Sequence, residues 1–129
     1  METNIGETAP VVGVSHFVLQ VSDLDASAAW YSNVLGLEEI RREPGSLVGL
    51  RARNGQFRLA LRAGGRPDNR GALDHIAFSV PNLDALTAWV DHLTAIGIDH
   101  KGIKSNPAVG HTVDLFDPDG NNMELVSEG

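Results

Sequence analysis

Two histidines and a glutamate are the residues of this 129-residue chain whose types best suit metal chemistry. A shift of 59 residues aligns HFVLQVSDLDASAAW (16–30) with HIAFSVPNLDALTAW (75–89), and seven of the fifteen positions are identical. His16 and His75 are therefore equivalent residues of an internal repeat. With Glu124 they form an N,N,O ligand set that suits a divalent Mn, Fe, Co, Ni or Zn ion. Three protein ligands also leave coordination positions for water or substrate.

The repeat predicts how these residues are positioned. We expect two tandem βαβββ modules, 11–63 and 72–128, joined by a polar linker at 64–71. Each module opens with a strand, at 14–21 and 74–80, and an amphipathic helix follows. The boundary signals also occur in pairs: N-caps at Ser22 or Asp23 and at Asn82, helix ends at Gly36 and Gly97, and hairpin turns at Asn54-Gly55 and Asp119-Gly120. The predicted fold is α+β, a curved eight-stranded mixed sheet with the helices outside.

The alternation of side chains along the strands predicts which residues share a face. If the apolar residues of each strand pack under a helix, His16, His75 and Glu124 all point to the opposite face. The same reasoning places Arg58 and Arg62 on that face. Between His111 and Asp114, which lie on opposite faces of one strand, one should point inward, and spacing alone leaves open which.

The arginines are unevenly distributed, since eight of the ten basic residues are arginines between 41 and 70. One interpretation is a solvated surface, with Arg58 and Arg62 reaching solvent or pairing with Glu43 or Asp114. The other is that Arg58 and Arg62 bind an anionic substrate, because a guanidinium fork suits a carboxylate or phosphate.

The composition narrows the partners and the compartment. A net charge of −7 argues against nucleic acid or an anionic membrane surface as the main partner. No apolar run has the length of a membrane span, and the polar N-terminus does not resemble a signal peptide. Without cysteine the chain offers no disulfide and no thiol nucleophile. We therefore expect a cytoplasmic protein.

Three segments carry a resemblance to a known family: SHFVLQVSDLDASAAWYSNVLGL, DHIAFSVPNLDAL and LFDPDGNNMELV. The chain resembles the vicinal oxygen chelate superfamily, which includes glyoxalase I, fosfomycin-resistance transferases, extradiol dioxygenases and bleomycin-resistance proteins. The resemblance implies the glyoxalase-like fold, a homodimer, and metal ligands that match His16, His75 and Glu124. It also implies a metal that chelates neighbouring oxygens of a substrate.

The sequence departs from individual subfamilies at two positions. The alignment puts Ala60 where glyoxalase I and the epimerases of this superfamily carry a residue that serves as metal ligand and base. It puts Asp114 where the dioxygenases carry a tyrosine. No general base is therefore assigned. The function implied is a metal-dependent enzyme with glyoxalase-like lyase or isomerase chemistry, or dioxygenase chemistry, acting on a small oxygenated substrate. The alternative is a non-catalytic binding protein of the bleomycin-resistance type.

Overall fold

A computed structural model describes residues 15–65, 73 and 75–128 of the chain, which form eight strands and two helices. The predicted βαβββ order occurs in both halves, so the α+β glyoxalase-like class is confirmed. The elements are β1 (His16–Val21), α1 (Leu24–Leu35), β2 (Glu38–Glu43), β3 (Leu47–Arg51), β4 (Arg58–Ala63), β5 (His75–Val80), α2 (Leu83–Ala95), β6 (Lys104–Asn106), β7 (Gly110–Phe116) and β8 (Asn122–Ser127).

The eight strands form two mixed four-stranded sheets, whereas the sequence predicted one eight-stranded sheet. The first sheet has the order β1-β4-β3-β2 and the second has the order β5-β8-β7-β6. In each sheet the opening strand pairs in parallel with the closing strand of its module, and the other pairs are antiparallel. The opening strands β1 and β5 therefore lie at sheet edges. Most of the predicted linker, and the expected strand residues Val14 and Asp74, lie outside the described residues.

Both helices begin at the predicted caps and α1 ends at the predicted glycine, whereas the C-cap of α2 is Ile96, one residue before the predicted Gly97. The Asp23 side chain accepts a hydrogen bond from the Ala26 N–H at the start of α1, and Asn82 does the same for Ala85 at the start of α2. Helix α1 ends at Gly36, whose φ of 71° is the left-handed conformation that glycine adopts without strain. Of the two candidate caps for α1, the structure selects Asp23 over Ser22.

Each helix packs on one face of its own sheet. Helix α1 lies over β3 and β4, and α2 lies over β7 and β8. The strand side chains that face the helices are almost wholly buried, and they include Val48, Leu50, Leu59, Leu61, Val113, Leu115, Met123 and Leu125. Burial of a residue of this kind contributes about 1.5–3 kcal/mol, so the helix-covered faces supply the core. The other face of each sheet, here called its open face, carries the polar side chains.

Direct contacts join the two modules. Tyr31 and Ser22, from the first module, donate hydrogen bonds to Asp117 and Asp119 in the turn between β7 and β8. The rings of Phe57 and Phe78 also meet across the boundary, with centroids 5.3 Å apart. These contacts tie α1 to the hairpin that leads into β8. Neither described helix has the length and apolar character needed to cross a membrane.

Candidate functional site

The open face of the second sheet brings acidic side chains together with a predicted histidine. Asp114 on β7 lies directly opposite Glu124 on β8. On the adjacent strand β5, His75 pairs with Asn122, which is two residues before Glu124 and on the same face. Burial, followed by the hydrogen bond and negative charge of Asp114, raises the pKa of Glu124, and His75 acts in the opposite direction. The two carboxyl groups form a site where positive charge is favoured.

Asp114 is held in place by two further side chains. The Lys104 ammonium lies 3.7 Å from one of its oxygens, and the Asn122 amide donates a hydrogen bond of 3.4 Å to the other. Because Lys104 sits on the edge strand β6, it only partly offsets the negative charge at this face. The question left open by the sequence has a clear answer here, since Asp114 shares the open face with Glu124. His111 is on the opposite face, where its Nδ1 atom is buried without a hydrogen-bond partner among the described residues.

The open face of the first sheet carries His16 and both predicted arginines. His16 pairs with Arg58, and Gln20 pairs with Arg62, across the parallel ladder between β1 and β4. All four side chains are exposed, whereas the alternate residues of β4 are buried under α1. The strand alternation predicted for His16, Arg58 and Arg62 is therefore what the structure has.

A hollow lies between the two arginines. Val18, Ala60 and Gly49 stand side by side on β1, β4 and β3, and none of them extends far from the sheet. They lie within a cavity of about 350 Å³, whose lining also includes Leu47, Ile40 and Arg41. In the second module the paired positions equivalent to Ala60 and Gly49 hold Glu124 and Asp114. The same two places thus hold two carboxylates in one sheet and almost no side chain in the other.

The arginines of the first sheet divide into two groups by their partners. Arg41 pairs with Glu43, Arg51 pairs with Glu38, and Arg42 pairs with Asp25 and Glu39. In the described part of the chain, no carboxylate pairs with Arg58 or Arg62; Arg58 has a long hydrogen bond of 3.5 Å to the Ser15 hydroxyl. Pairing with Glu43 or Asp114, one of the alternatives that the sequence left open, does not occur.

The three predicted metal ligands are not gathered within one chain. His75 and Glu124 lie on neighbouring strands of the second sheet, while His16 lies on the first sheet. Among residues 15–65, 73 and 75–128 of a single chain, no three His, Cys, Asp or Glu side chains are close enough together to hold a metal ion. Each open face therefore presents one part of the predicted ligand set.

Sequence reasoning missed a buried network beside the site. Asp119 was predicted only as part of a hairpin turn, but the side chains of both Asp117 and Asp119 are buried hydrogen-bond acceptors. Asp117 accepts hydrogen bonds from the Tyr31 hydroxyl, from the N–H groups of residues 119 and 121, and from the Asn121 amide. The equivalent turn of the first module, at Asn54-Gly55, lacks these acids, and this difference between the repeats was the available signal.

Comparison with known proteins agrees with this architecture. Residues 13–125 match the family described as the Glyoxalase/Bleomycin resistance protein/Dioxygenase superfamily. The chain belongs to this superfamily. A lactoylglutathione lyase structure from Agrobacterium tumefaciens superposes with a TM-score of 0.78 at 25% identity, over 92% of this chain and 95% of that one.

Other relatives indicate the range of this superfamily. Biphenyl-2,3-diol 1,2-dioxygenase 3 of Rhodococcus globerulus is 35% identical over 122 residues, which are 87% of this chain but 61% of that protein's length. The present chain thus spans about three fifths of that relative. A variant of the fosfomycin resistance protein FosX from Listeria monocytogenes, complexed with Mn(II) and 1S,2S-dihydroxypropylphosphonic acid, has the same fold, with a TM-score of 0.73, 21% identity, and coverage of 92% of this chain and 94% of that one.

Proposed function

We propose that this protein is a metal-dependent enzyme of the superfamily, which acts on a small oxygenated molecule chelated through oxygen to a divalent ion. His16, His75 and Glu124 are the proposed ligands. The observation that carries the proposal is the second open face, where Glu124 lies against Asp114 and beside His75. Two adjacent carboxyl groups disfavour each other's ionisation, and a bound cation would reverse that preference.

The ligand set is proposed to form between two copies of the chain. His16 lies on a different sheet from His75 and Glu124, and the described residues of one chain contain no three-ligand cluster. Both open faces also expose apolar side chains, with Val18 52% and Phe116 53% accessible in the single chain. A homodimer in which the first open face of one copy covers the second open face of the other would bury these residues and unite the three ligands.

The side chains indicate what each residue would contribute to such a site. Two imidazoles and one carboxylate suit Mn, Fe, Co, Ni or Zn, and they leave positions for substrate oxygens. When bound, the ion would polarise those oxygens and stabilise negative charge that develops on them. Lys104 and Asn122 hold the Asp114 carboxyl beside Glu124. Ala60 can neither ligate nor accept a proton, so the first open face contributes only His16 to the metal.

Mixed dimers provide the decisive test. His16→Ala and Glu124→Ala should each abolish stoichiometric Mn²⁺ binding when purified alone, as measured by electron paramagnetic resonance titration. If the site forms across chains, a dimer of one His16→Ala chain and one Glu124→Ala chain keeps one intact site and binds one Mn²⁺. If the site formed within a chain, the same mixed dimer would have none.

The result separates three possibilities. Full Mn²⁺ binding by both single variants would refute the ligand assignment. Loss in both, without recovery in the mixed dimer, would refute the shared site. Light scattering that finds only a monomer at tens of micromolar protein would independently refute the shared site. The non-catalytic binder remains the second candidate because Ala60 stands where the resemblance expects a further ligand, and a wild-type protein that binds no divalent metal would favour it.

A further inference from the structure

We propose that the substrate carries an oxyanion, separate from the oxygens that face the metal, and that Arg58 and Arg62 bind this oxyanion above the hollow formed by Val18, Gly49 and Ala60. The ligand class is a small organic acid whose carboxylate or phosphate-type group is distinct from its chelating oxygens. This inference rests on the proposed function for the orientation of the ligand, whereas the anion contact can be measured without metal.

The pairing of the arginines is the first argument. The arginines at the periphery of the sheet, Arg41 and Arg51, each have a glutamate partner on the same face. Within the described residues, the two on β4 have no carboxylate partner, although Glu43 and Glu38 lie on the same sheet. These two arginines, which lack a carboxylate partner in the described part of the chain, flank a single depression. This arrangement suits an incoming anion.

The geometry of the hollow is the second argument. Arg58 and Arg62 are separated by four residues of strand, which is about 13 Å between their Cα atoms, and Ala60 lies at the midpoint. Their side chains point to the same side and can converge on a group seated over Ala60. The cavity of about 350 Å³ has an apolar floor, so it can take the carbon body of a small acid while the guanidinium groups take the charge.

The contrast between the two modules is the third argument. Positions that hold the carboxylates Asp114 and Glu124 on the second open face hold Gly49 and Ala60 on the first. One face therefore attracts a cation, and the other attracts an anion. A ligand that contacts both faces is best matched when it has chelating oxygens and a separate negatively charged group.

Matched acid and ester probes test the proposal. The probes are 2-oxoglutarate with its 5-methyl ester and 2-oxoadipate with its 6-methyl ester, because each pair differs only in the distal charge. Binding to Mn²⁺-loaded and to metal-free protein is measured by isothermal titration calorimetry at low ionic strength. We expect at least one diacid to bind about tenfold more tightly than its ester, which corresponds to about 1.4 kcal/mol.

Three variants assign that preference to the site. Arg58→Met and Arg62→Met should each reduce the acid-to-ester ratio to about threefold or less, while Arg51→Met, which removes a paired arginine outside the cavity lining, should leave it unchanged. Ala60→Leu fills the hollow and should weaken both members of a pair. Thermal melts and circular dichroism confirm that each variant is folded.

The outcomes are distinct from those of the metal proposal. If neither diacid binds more tightly than its ester, or if the preference survives both Arg58→Met and Arg62→Met, the anion site is wrong. If Arg51→Met reduces the preference as much as they do, general surface charge explains it and the assignment also fails. Absence of Mn²⁺ binding with an intact acid preference in the metal-free protein would refute the metal centre and leave the anion site standing.

Discussion

Replacing Tyr31 by phenylalanine tests how far the buried network stabilises the junction between the modules. Tyr31 is fully buried, and its hydroxyl donates a hydrogen bond of 2.7 Å to the Asp117 carboxylate. The Tyr31→Phe substitution removes that donor and leaves the ring in place. Asp117 keeps its three other hydrogen bonds, from the backbone of residues 119 and 121 and from the Asn121 amide.

The size of the loss follows from the kind of bond removed. A buried hydrogen bond to a charged acceptor contributes about 1.5–3 kcal/mol. Because three donors remain on Asp117, its desolvation is still largely compensated, and we expect a loss of about 2 kcal/mol in the free energy of unfolding. For a chain of this size that corresponds to a melting temperature about 6–10 °C lower.

The pH dependence gives the prediction a second signature. Burial, and then the charge and hydrogen bond of Asp117, raise the pKa of Tyr31 well above its ordinary value. Because the pKa of Tyr31 is raised in the folded state, its contribution to the free energy of unfolding is complete below about pH 10, the ordinary pKa of tyrosine. Above that pH the contribution declines, since Tyr31 ionises first in the unfolded chain. The difference in stability between wild type and Tyr31→Phe should therefore be constant from pH 7 to 9 and shrink above pH 10.

Differential scanning calorimetry or urea unfolding at several pH values measures both effects. Thr87→Val is the matched control, because it also removes a hydroxyl donor, in this case an exposed one bonded to the Leu83 carbonyl. We expect this control to change stability by no more than about 0.5 kcal/mol. A Tyr31→Phe protein as stable as the wild type at pH 7 would show that the hydroxyl contributes nothing to the junction. A stability difference that grows above pH 10 would contradict the raised pKa of Tyr31.

Two further predictions concern the paired positions on the open faces. Glu124→Gln should raise the melting temperature of the metal-free protein at pH 7, because the raised pKa of Glu124 means that its ionised form destabilises the folded state at pH values above the pKa of the unfolded chain. This gain in melting temperature should vanish near pH 4. A variant that melts below the wild type at pH 7 in EDTA would contradict the prediction. Ala60→Glu should abolish the acid-over-ester preference in calorimetry, since the new carboxylate lies between Arg58 and Arg62 and offers them a partner; a preference that persists at full size would show that the anion does not sit over Ala60.

The fold could be predicted from the sequence because its signals are local and occur twice. The matched segments, the two N-caps and the two hairpin turns each specify a boundary by short-range chemistry. The period-two pattern of RLALRA then fixes which side of β4 faces α1, so the placement of Arg58 and Arg62 on the open face followed without any knowledge of the other strands.

The assembly of the site could not be predicted in the same way. Strand alternation states on which face a side chain lies, but it does not state which faces meet. His16 and Glu124 each lie on the open face of a sheet, but the two sheets are different ones. The side of β7 that faces α2 also depends on register with β8, and only that pairing assigned Asp114 to the open face. The links from Tyr31 and Ser22 to the turn at 117–121 span most of the chain, and no local pattern encodes them.

The sequence differences between the two repeats explain how one fold presents two open faces of opposite charge. Both modules place a histidine at the start of the opening strand and cover the opposite face of the sheet with a helix, so the core does not restrict which side chains the open faces carry. One pair of cross-strand positions holds Glu124 and Asp114, and the equivalent pair holds Ala60 and Gly49. If these two carboxyl groups lay on one face with Arg58 and Arg62, which have no carboxylate partner among the described residues, the opposite charges would neutralise each other. Their separation onto different sheets keeps both charges available to the cation and the anion of the proposed site.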